Sequence, residues 1–384
     1  MSKKAELQNI CDIIVGKTPF RANNAFWGVG SPWLSIADMT ESGKYIEKTK
    51  EQITKKAIAE CNNQLIPLNT VLLSFKLSIG KVAITKIPLY TNEAIAALII
   101  KDRKQVDSNY LYYALKAGRF SIGSNRAVMG STLNKQKLKE IQIPIYSLEE
   151  QRRIVEILDQ ANFLRQKRKE QIKLLDDFLK SKFLEMFGDP LNNPKQVRQA
   201  KIGEVGTVIT GNTPSRQNKD YYGDYIEWIK SDNINTPQFT LTKAVEFLSK
   251  SGVKVGRIAP KGSVLVTCIA GSPECIGNSA MTDRDVAFNQ QINAFTPGND
   301  MLQEFFFTQL WVCKGLIQQC SSNSMKGLVS KSKFSNINIL VPKKEYQLEF
   351  VKIFNNVMQT KQSMQGNMLK MGRQFDALIQ EYFG

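Results

Sequence analysis

The chain has 384 residues, 42% of them hydrophobic and 23% charged, ordinary values for a globular protein of two to four domains. Its 52 basic and 35 acidic side chains give a formal net charge of +17, and it contains no histidine, which excludes Ser-His-Asp and Cys-His nucleophilic schemes, histidine acid–base chemistry and most transition-metal sites. No apolar run of about 18 residues exists to span a membrane, and Met1-Ser2-Lys3-Lys4-Ala5-Glu6 lacks the apolar stretch of a secretory signal, so a cytoplasmic protein with no membrane partner is expected.

The first predicted block, residues 1–148, mixes β-branched and aromatic runs with Gly, Pro, Asn and Ser. Runs such as Thr70-Val71-Leu72-Leu73-Ser74-Phe75 read as strands between turns. A short helix is predicted near Tyr110–Ala117, and the block closes on a strand at Ile143-Pro144. Residues 149–188 follow as one long helix, since 149–187 contain neither proline nor glycine. Phe187-Gly188-Asp189-Pro190 ends it, glycine freeing the chain to turn and proline forbidding resumption. Positions 154, 158, 161, 165, 168, 172, 175, 179, 182 and 186 keep the 4-3 spacing of a coiled-coil seam, weakened midway by Arg165 and Arg168.

Residues 189–342 form a second mixed block, with strands such as Ser263-Val264-Leu265-Val266-Thr267, a helix near Gln303–Val312 and a closing strand at Val341-Pro342. Residues 343–384 form a second long helix. Adding 196 to each seam position gives a stripe from Phe350 to Tyr382 in which nine of ten residues are apolar or aromatic. Gly366 and Gly372 interrupt this helix at a cost of about 1 kcal/mol each.

The chain is therefore written twice. Gly16-Lys17-Thr18-Pro19-Phe20-Arg21 returns as Gly211-Asn212-Thr213-Pro214-Ser215-Arg216, and Trp33 returns as Trp228. Ile79-Gly80 matches Ile276-Gly277, Asn92-Glu93-Ala94-Ile95 matches Asn289-Gln290-Gln291-Ile292, and Phe187-Gly188 matches Phe383-Gly384. A helix of about 39 residues spans roughly 58 Å, too long to hide its stripe in one small domain. The two long helices are expected to pair antiparallel and to place the blocks at opposite ends about a pseudo-two-fold axis. The expected fold class is α+β: two similar mixed α/β domains separated by two long antiparallel coiled-coil helices. The alternative is two independent helices, each packed on its own block.

Charge follows the blocks: +10 on 1–148, +1 on 149–188, +4 on 189–342 and +2 on 343–384. A polyanion suits such surfaces, because neutralising phosphates releases condensed counterions. The six cysteines form no CxxC and read as buried free thiols rather than a zinc site. Gly28-Val29-Gly30 lacks a strand–turn–helix setting for nucleotide binding, and no GxxxxGK[ST] exists. Asn193-Pro194-Lys195 and Asp189-Pro190-Leu191 lack the Asn/Asp-Pro-Pro-aromatic element of an adenine methyltransferase. Asp102-Arg103-Lys104 reads as a solvated turn rather than a nuclease centre. No catalytic residue, metal or cofactor is expected.

Taken in order and twice over, the Gly-x-Thr-Pro-x-Arg segments, the Trp33 and Trp228 segments, Asn289-Gln290-Gln291-Ile292-Asn293, the approaches from Pro144 to Gln151 and Pro342 to Gln347, and the Phe-Gly ends resemble the DNA specificity subunit of type I restriction–modification systems. The resemblance covers nearly the whole chain. It implies two target-recognition domains, 1–148 and 189–342, each reading one half of a split site on double-stranded DNA. It also implies that the helices 149–188 and 343–384 dock two methyltransferase subunits, which restriction (motor/nuclease) subunits join.

Candidate phosphate and base contacts are polar side chains in the repeat loops. In the first block these are Thr18, Arg21, Ser74, Lys76, Ser78 and Lys81, with Asn125 and Arg126 in a glycine- and serine-rich loop. In the second they are Thr213, Arg216, Lys230, Asp232, Asn233, Ser272, Asn278 and Lys326. Arg21 and Arg216 could instead bond backbone carbonyls within a turn, Trp33 and Trp228 read first as core anchors, and Asn92 and Asn289 read as turn-formers. Arg152, Arg153, Lys167 and Lys169 face either the methyltransferase or water. The competing reading is a coiled-coil scaffold whose two heads bind protein partners; a histidine-free nuclease comes third.

Overall fold

The computed structural model describes residues 3–76, 78–122, 125–128, 134–236, 238–321 and 327–384, the side chains of 119–122 and 125–128 excepted. It divides into two compact units, Met1–Lys167 with Met368–Gly384, and Arg168–Asn367.

In the first unit the main sheet runs in the order Cys11–Val15, Ile95–Ile100, Val71–Ser74, Val82–Thr85 and Tyr45–Ile46. The first four strands are antiparallel neighbours, and Tyr45–Ile46 joins in parallel. Val71–Ser74 and Ile95–Leu98 are buried throughout, as near-continuous apolar strands must be when both faces are covered. Val71, Leu73, Ala96 and Leu98 join the core around Tyr110, Tyr113 and Leu115, whereas Leu72, Ile95 and Ala97 pack with Leu34, Met39 and Leu89. The helix Ser108–Lys116 starts where Asp107 accepts from the amides of Asn109 and Tyr110. The strand Lys3–Glu6 pairs with Ile141–Ile145, which contains the predicted Ile143-Pro144.

The second unit repeats this plan. Gly206–Thr210, Ile292–Pro297, Val264–Thr267 and Ser279–Met281 lie in the same order, all antiparallel. The helix Gln303–Val312 places Phe305, Phe306 and Phe307 in the core with Phe295. Gln199–Lys201 pairs with Asn338–Leu340. Each unit also contains a parallel pairing at its tryptophan, Trp33 opposite Tyr90 and Trp228 opposite Ala287.

The long helices are Leu148–Phe187 and Lys344–Phe383. Every seam position on both is buried or half-buried. In the first unit Tyr146 donates to the Tyr382 carbonyl at 3.1 Å, and the Arg165 guanidinium lies 4.9 Å from the Phe375 ring centre. In the second unit Asp176 pairs with Lys361 at 2.5 Å, and the Phe183 and Phe350 rings are 5.4 Å apart. Within each unit the partner numbers run in opposite directions, so the paired stretches are antiparallel. Arg165 therefore extends the seam by stacking its planar cation on an aromatic face. Lys361 is only 1% exposed, with its ammonium 4.2 Å from the Phe239 ring centre as well as beside Asp176. Gly188 ends the first helix at φ +77°, its amide bonded to the Leu184 carbonyl at 2.8 Å.

Among the described residues, no helix is long and apolar enough to cross a membrane. All six cysteines are free thiols, but only Cys11 and Cys268 are buried, and Cys275 is exposed. Burial pushes the Cys11 and Cys268 thiols up to about 12.

Candidate nucleic-acid interface

The duplicated motifs build one loop frame in each unit. A Cβ on Gly16 would stand 2.0 Å from the Thr91 carbonyl oxygen, and one on Gly211 would stand 2.2 Å from that of Asn289. Only glycine permits that approach, which lets the next amide, of Lys17 or Asn212, bond the Thr91 or Phe288 carbonyl. The freed carbonyls of Lys17 and Asn212 accept the indole N–H groups of Trp33 (3.2 Å) and Trp228 (3.3 Å). Both indoles are buried and act as core anchors. Thr18 donates to Glu93 and Thr213 to Gln290, so the one departure in the repeated Asn-Glu/Asn-Gln segment keeps the same contact. Asn92 and Asn289 each accept from the amide two residues on, at 3.1 Å, and are turn-formers.

The repeated arginines are held by carboxylates and aromatic rings, not by backbone carbonyls. Arg21 makes a two-pronged bond to Glu51, with its guanidinium 4.0 Å from the Trp27 ring centre and 4.9 Å from that of Trp33. Arg216 pairs with Glu246 at 2.7 Å, with its guanidinium 4.4 Å from the Tyr222 ring centre and 4.9 Å from that of Trp228. Lys230 bonds the same Glu246 carboxylate. Hydrogen bonding from Lys230 holds the Glu246 carboxyl below its usual range; Arg216 adds to this and burial opposes it.

Beyond the frame, a variable loop rises from each main sheet. The Gly80 amide bonds the Ser74 carbonyl at 2.9 Å, and the Gly277 amide bonds the Thr267 carbonyl at 2.9 Å. Both glycines sit in the left-handed region, at φ +91° and +83°. The stretch so closed holds five residues in the first unit and nine in the second.

The other predicted residues fall in four groups. Lys76, Ser78 and Ser272 are exposed on these loops and Asp232 is exposed in the turn Ser231–Asn233; Lys76 lies over the Phe75 ring at 5.5 Å. Lys81 donates to Thr40, and Asn278 accepts from the Lys314 ammonium at 2.6 Å, so both are half-buried and engaged. Ser74 and Asn233 correct the expectation of surface contacts. Ser74 is fully buried, donating to the Ser78 carbonyl and accepting from the Lys81 amide, which ties the neck of the loop. Asn233 is buried, accepting from the Lys230 amide and donating to Thr242 and the Lys243 carbonyl. Asn125 and Arg126 lie on a strand paired with Arg119–Ile122, and their side chains fall outside the described residues, as does Lys326.

The motif glutamines have a role that residue spacing alone did not reveal. Gln151 is buried, donating to the carbonyls of Gln105 (2.7 Å) and Tyr146 (2.9 Å) and accepting from the Asp107 amide (2.9 Å). Gln347 does the same with Asp300 (2.8 Å), Pro342 (2.9 Å) and the Leu302 amide (2.9 Å). Each latches the start of a long helix to the loop that precedes the short helix of its unit. In the first unit Lys44 also ties a loop to the long helix through Asp159 at 2.6 Å. Burial pulls the Lys44 ammonium below its usual range despite that partner.

Two frames built from the same contacts, each carrying its own loop of different length, make the chain a tandem repeat of one domain plan. The chain matches the family model described as the type I restriction modification DNA specificity domain over residues 2–174 and again over 194–369, and so belongs to that family. It is 32% identical over 232 residues to the type I restriction enzyme MjaIX specificity subunit of Methanocaldococcus jannaschii, covering 55% of this chain and 53% of that protein. It is 30% identical over 174 residues to the HindI specificity subunit of Haemophilus influenzae, covering 43% of this chain and 37% of that protein. The matches thus span about half or less of these relatives' length. The fold is similar to that of the S subunit of a type I restriction–modification system from M. genitalium (TM-score 0.55, 15% identity, covering 100% of this chain and 96% of that one). It is also similar to a chain solved in work on complex assembly and conformational transition of the type I R-M system (TM-score 0.64, 16% identity, 99% and 97%).

Proposed function

We propose that the chain is the non-catalytic, sequence-reading subunit of a cytoplasmic type I restriction–modification assembly. Its two target-recognition domains each read one half of a bipartite site on double-stranded DNA, and its long helices recruit two methyltransferase subunits, which restriction subunits join. The observation that carries this reading is the repeated frame with diverged exposed loops. Gly16, Thr18, Arg21, Trp33, Asn92 and Gly80 make the same contacts as Gly211, Thr213, Arg216, Trp228, Asn289 and Gly277, whereas the loops between differ in length and in side chains. A frame kept beside altered polar loops fits two modules that recognise different base sequences. The contact residues in this reading are Lys76 and Ser78 in the first unit and Asp232 and Ser272 in the second, with Arg21, Arg216, Thr18, Thr213 and Lys230 setting the loops beside the phosphates.

Binding measured on the chain assembled with its methyltransferase partner tests this. One asymmetric, gapped duplex sequence is expected to bind tightly, with affinity falling steeply as salt rises. Binding indifferent to sequence overturns the reading. Absence of DNA affinity even at low salt overturns it in favour of a protein-binding scaffold.

A further inference from the structure

Phe20 stands out as an aromatic ring that is 70% exposed on a loop held at several points. Its carbonyl accepts the Trp27 indole N–H at 3.3 Å and the Asn23 amide at 3.1 Å. On one side Pro19 is buried and Thr18 is bonded to Glu93; on the other Arg21 is clamped to Glu51 and the tryptophans. The loop does not need the ring for its shape. The second unit makes the same turn, Asn218 amide to Ser215 carbonyl at 3.2 Å, with an exposed serine in Phe20's place. The side chain at this position is therefore free to differ while the frame stays. In the first unit it is apolar and flanked by the cations Lys17 and Arg21.

The geometry points to Phe20 as a base-reading residue of the first unit that contacts the 5-methyl group of a thymine in the major groove. This rests on the DNA-reading function proposed above. Among the features that base pairs show in that groove, the thymine methyl is the apolar one, and a phenyl ring is a partner for it. The exposed Lys17 three residues before Phe20 favours a nearby phosphate, whereas Arg21 is already paired with Glu51. The serine at the matching position of the second unit offers a hydroxyl instead, which suits a polar base edge.

The experiment uses the full chain assembled with its methyltransferase partner and selection from a random duplex library. Wild type, Phe20→Ser and Ser215→Phe are compared. The selected duplex is then remade with deoxyuridine for each thymidine, which removes only the methyl. Phe20→Ser is expected to lose a thymine preference at one position of one half-site, with affinity lower by roughly fivefold or more. Deoxyuridine at that position is expected to weaken the wild type equally and to leave Phe20→Ser unchanged. Ser215→Phe is expected to shift preference in the other half-site only. An unchanged motif and affinity for Phe20→Ser, or no deoxyuridine effect in that half-site, overturns the assignment. So does a loss of methyltransferase assembly with the motif intact, which makes Phe20 a protein contact. If the wild type selects no motif at all, the DNA-reading function itself fails, whatever Phe20 does.

Discussion

Gln347→Leu removes a buried latch, replacing the amide with an apolar side chain one heavy atom smaller and branched one carbon earlier. The side chain is fully buried and makes three hydrogen bonds: from the Leu302 amide, and to the carbonyls of Asp300 and Pro342. The substitution leaves one donor and two acceptors in a space closed to water. At about 1–3 kcal/mol for each orphaned buried group, the cost is about 3–9 kcal/mol. That is a large share of the roughly 5–15 kcal/mol holding a typical domain. Native-state hydrogen exchange reads the effect at the stranded amide. Protection of Leu302 should fall by about two decades or more, because 1.4 kcal/mol is a factor of ten. Gln151→Leu should do the same to the Asp107 amide of the first unit and leave Leu302 protected. A Leu302 amide that exchanges in Gln347→Leu as it does in the wild type would refute the reasoning.

Arg216→Ala removes a half-exposed ion pair and two ring contacts, worth about 1 kcal/mol each way, so thermal melting of the second unit should move down by a few degrees. The same variant should weaken DNA binding at one half-site; equal loss at both contradicts the assignment. Gly211→Ala forces a Cβ to 2.2 Å from the Asn289 carbonyl oxygen, a strain of about 1–3 kcal/mol or more, and an unchanged melting temperature would count against it. Glu246 has its carboxyl held low in the folded state, so its bonds to Lys230 and Arg216 contribute stability above about pH 4.5 that is lost as pH falls below that value. The stability gap between wild type and Glu246→Gln should therefore shrink with acidification; a gap independent of pH rules this out.

Much of the frame was legible because repetition marks what a fold cannot vary. The glycines, tryptophans and long helices all lie where the 195- to 197-residue offsets put them. Glu51 and Glu246, the partners of the repeated arginines, were within reach too, being offset by the same 195 residues as Arg21 and Arg216. Residue type alone misled at Ser74 and Asn233, because a polar side chain in a loop segment says nothing of which way it points. Arg165 looked like a flaw in the helix seam, yet its contact is Phe375 on the other helix, 210 positions away. Lys361 depends in the same way on Asp176. Phe183 and Phe187 lie off the predicted stripe and are buried because Phe305 of a short helix packs on them, at 5.4 and 4.9 Å. Such contacts are tertiary, and no periodicity along one helix reveals them.

The left-handed glycines at Gly80 and Gly277 have an evolutionary corollary. Each crimps its excursion shut at the root, and Phe75 in the first unit and Cys268 and Ile276 in the second reach back from it into the core. Growing from five residues to nine at such a neck adds only about 0.5 kcal/mol of closure entropy. The exposed part of such an excursion can therefore be lengthened, trimmed or exchanged at small cost to the scaffold, provided those buried anchors are kept.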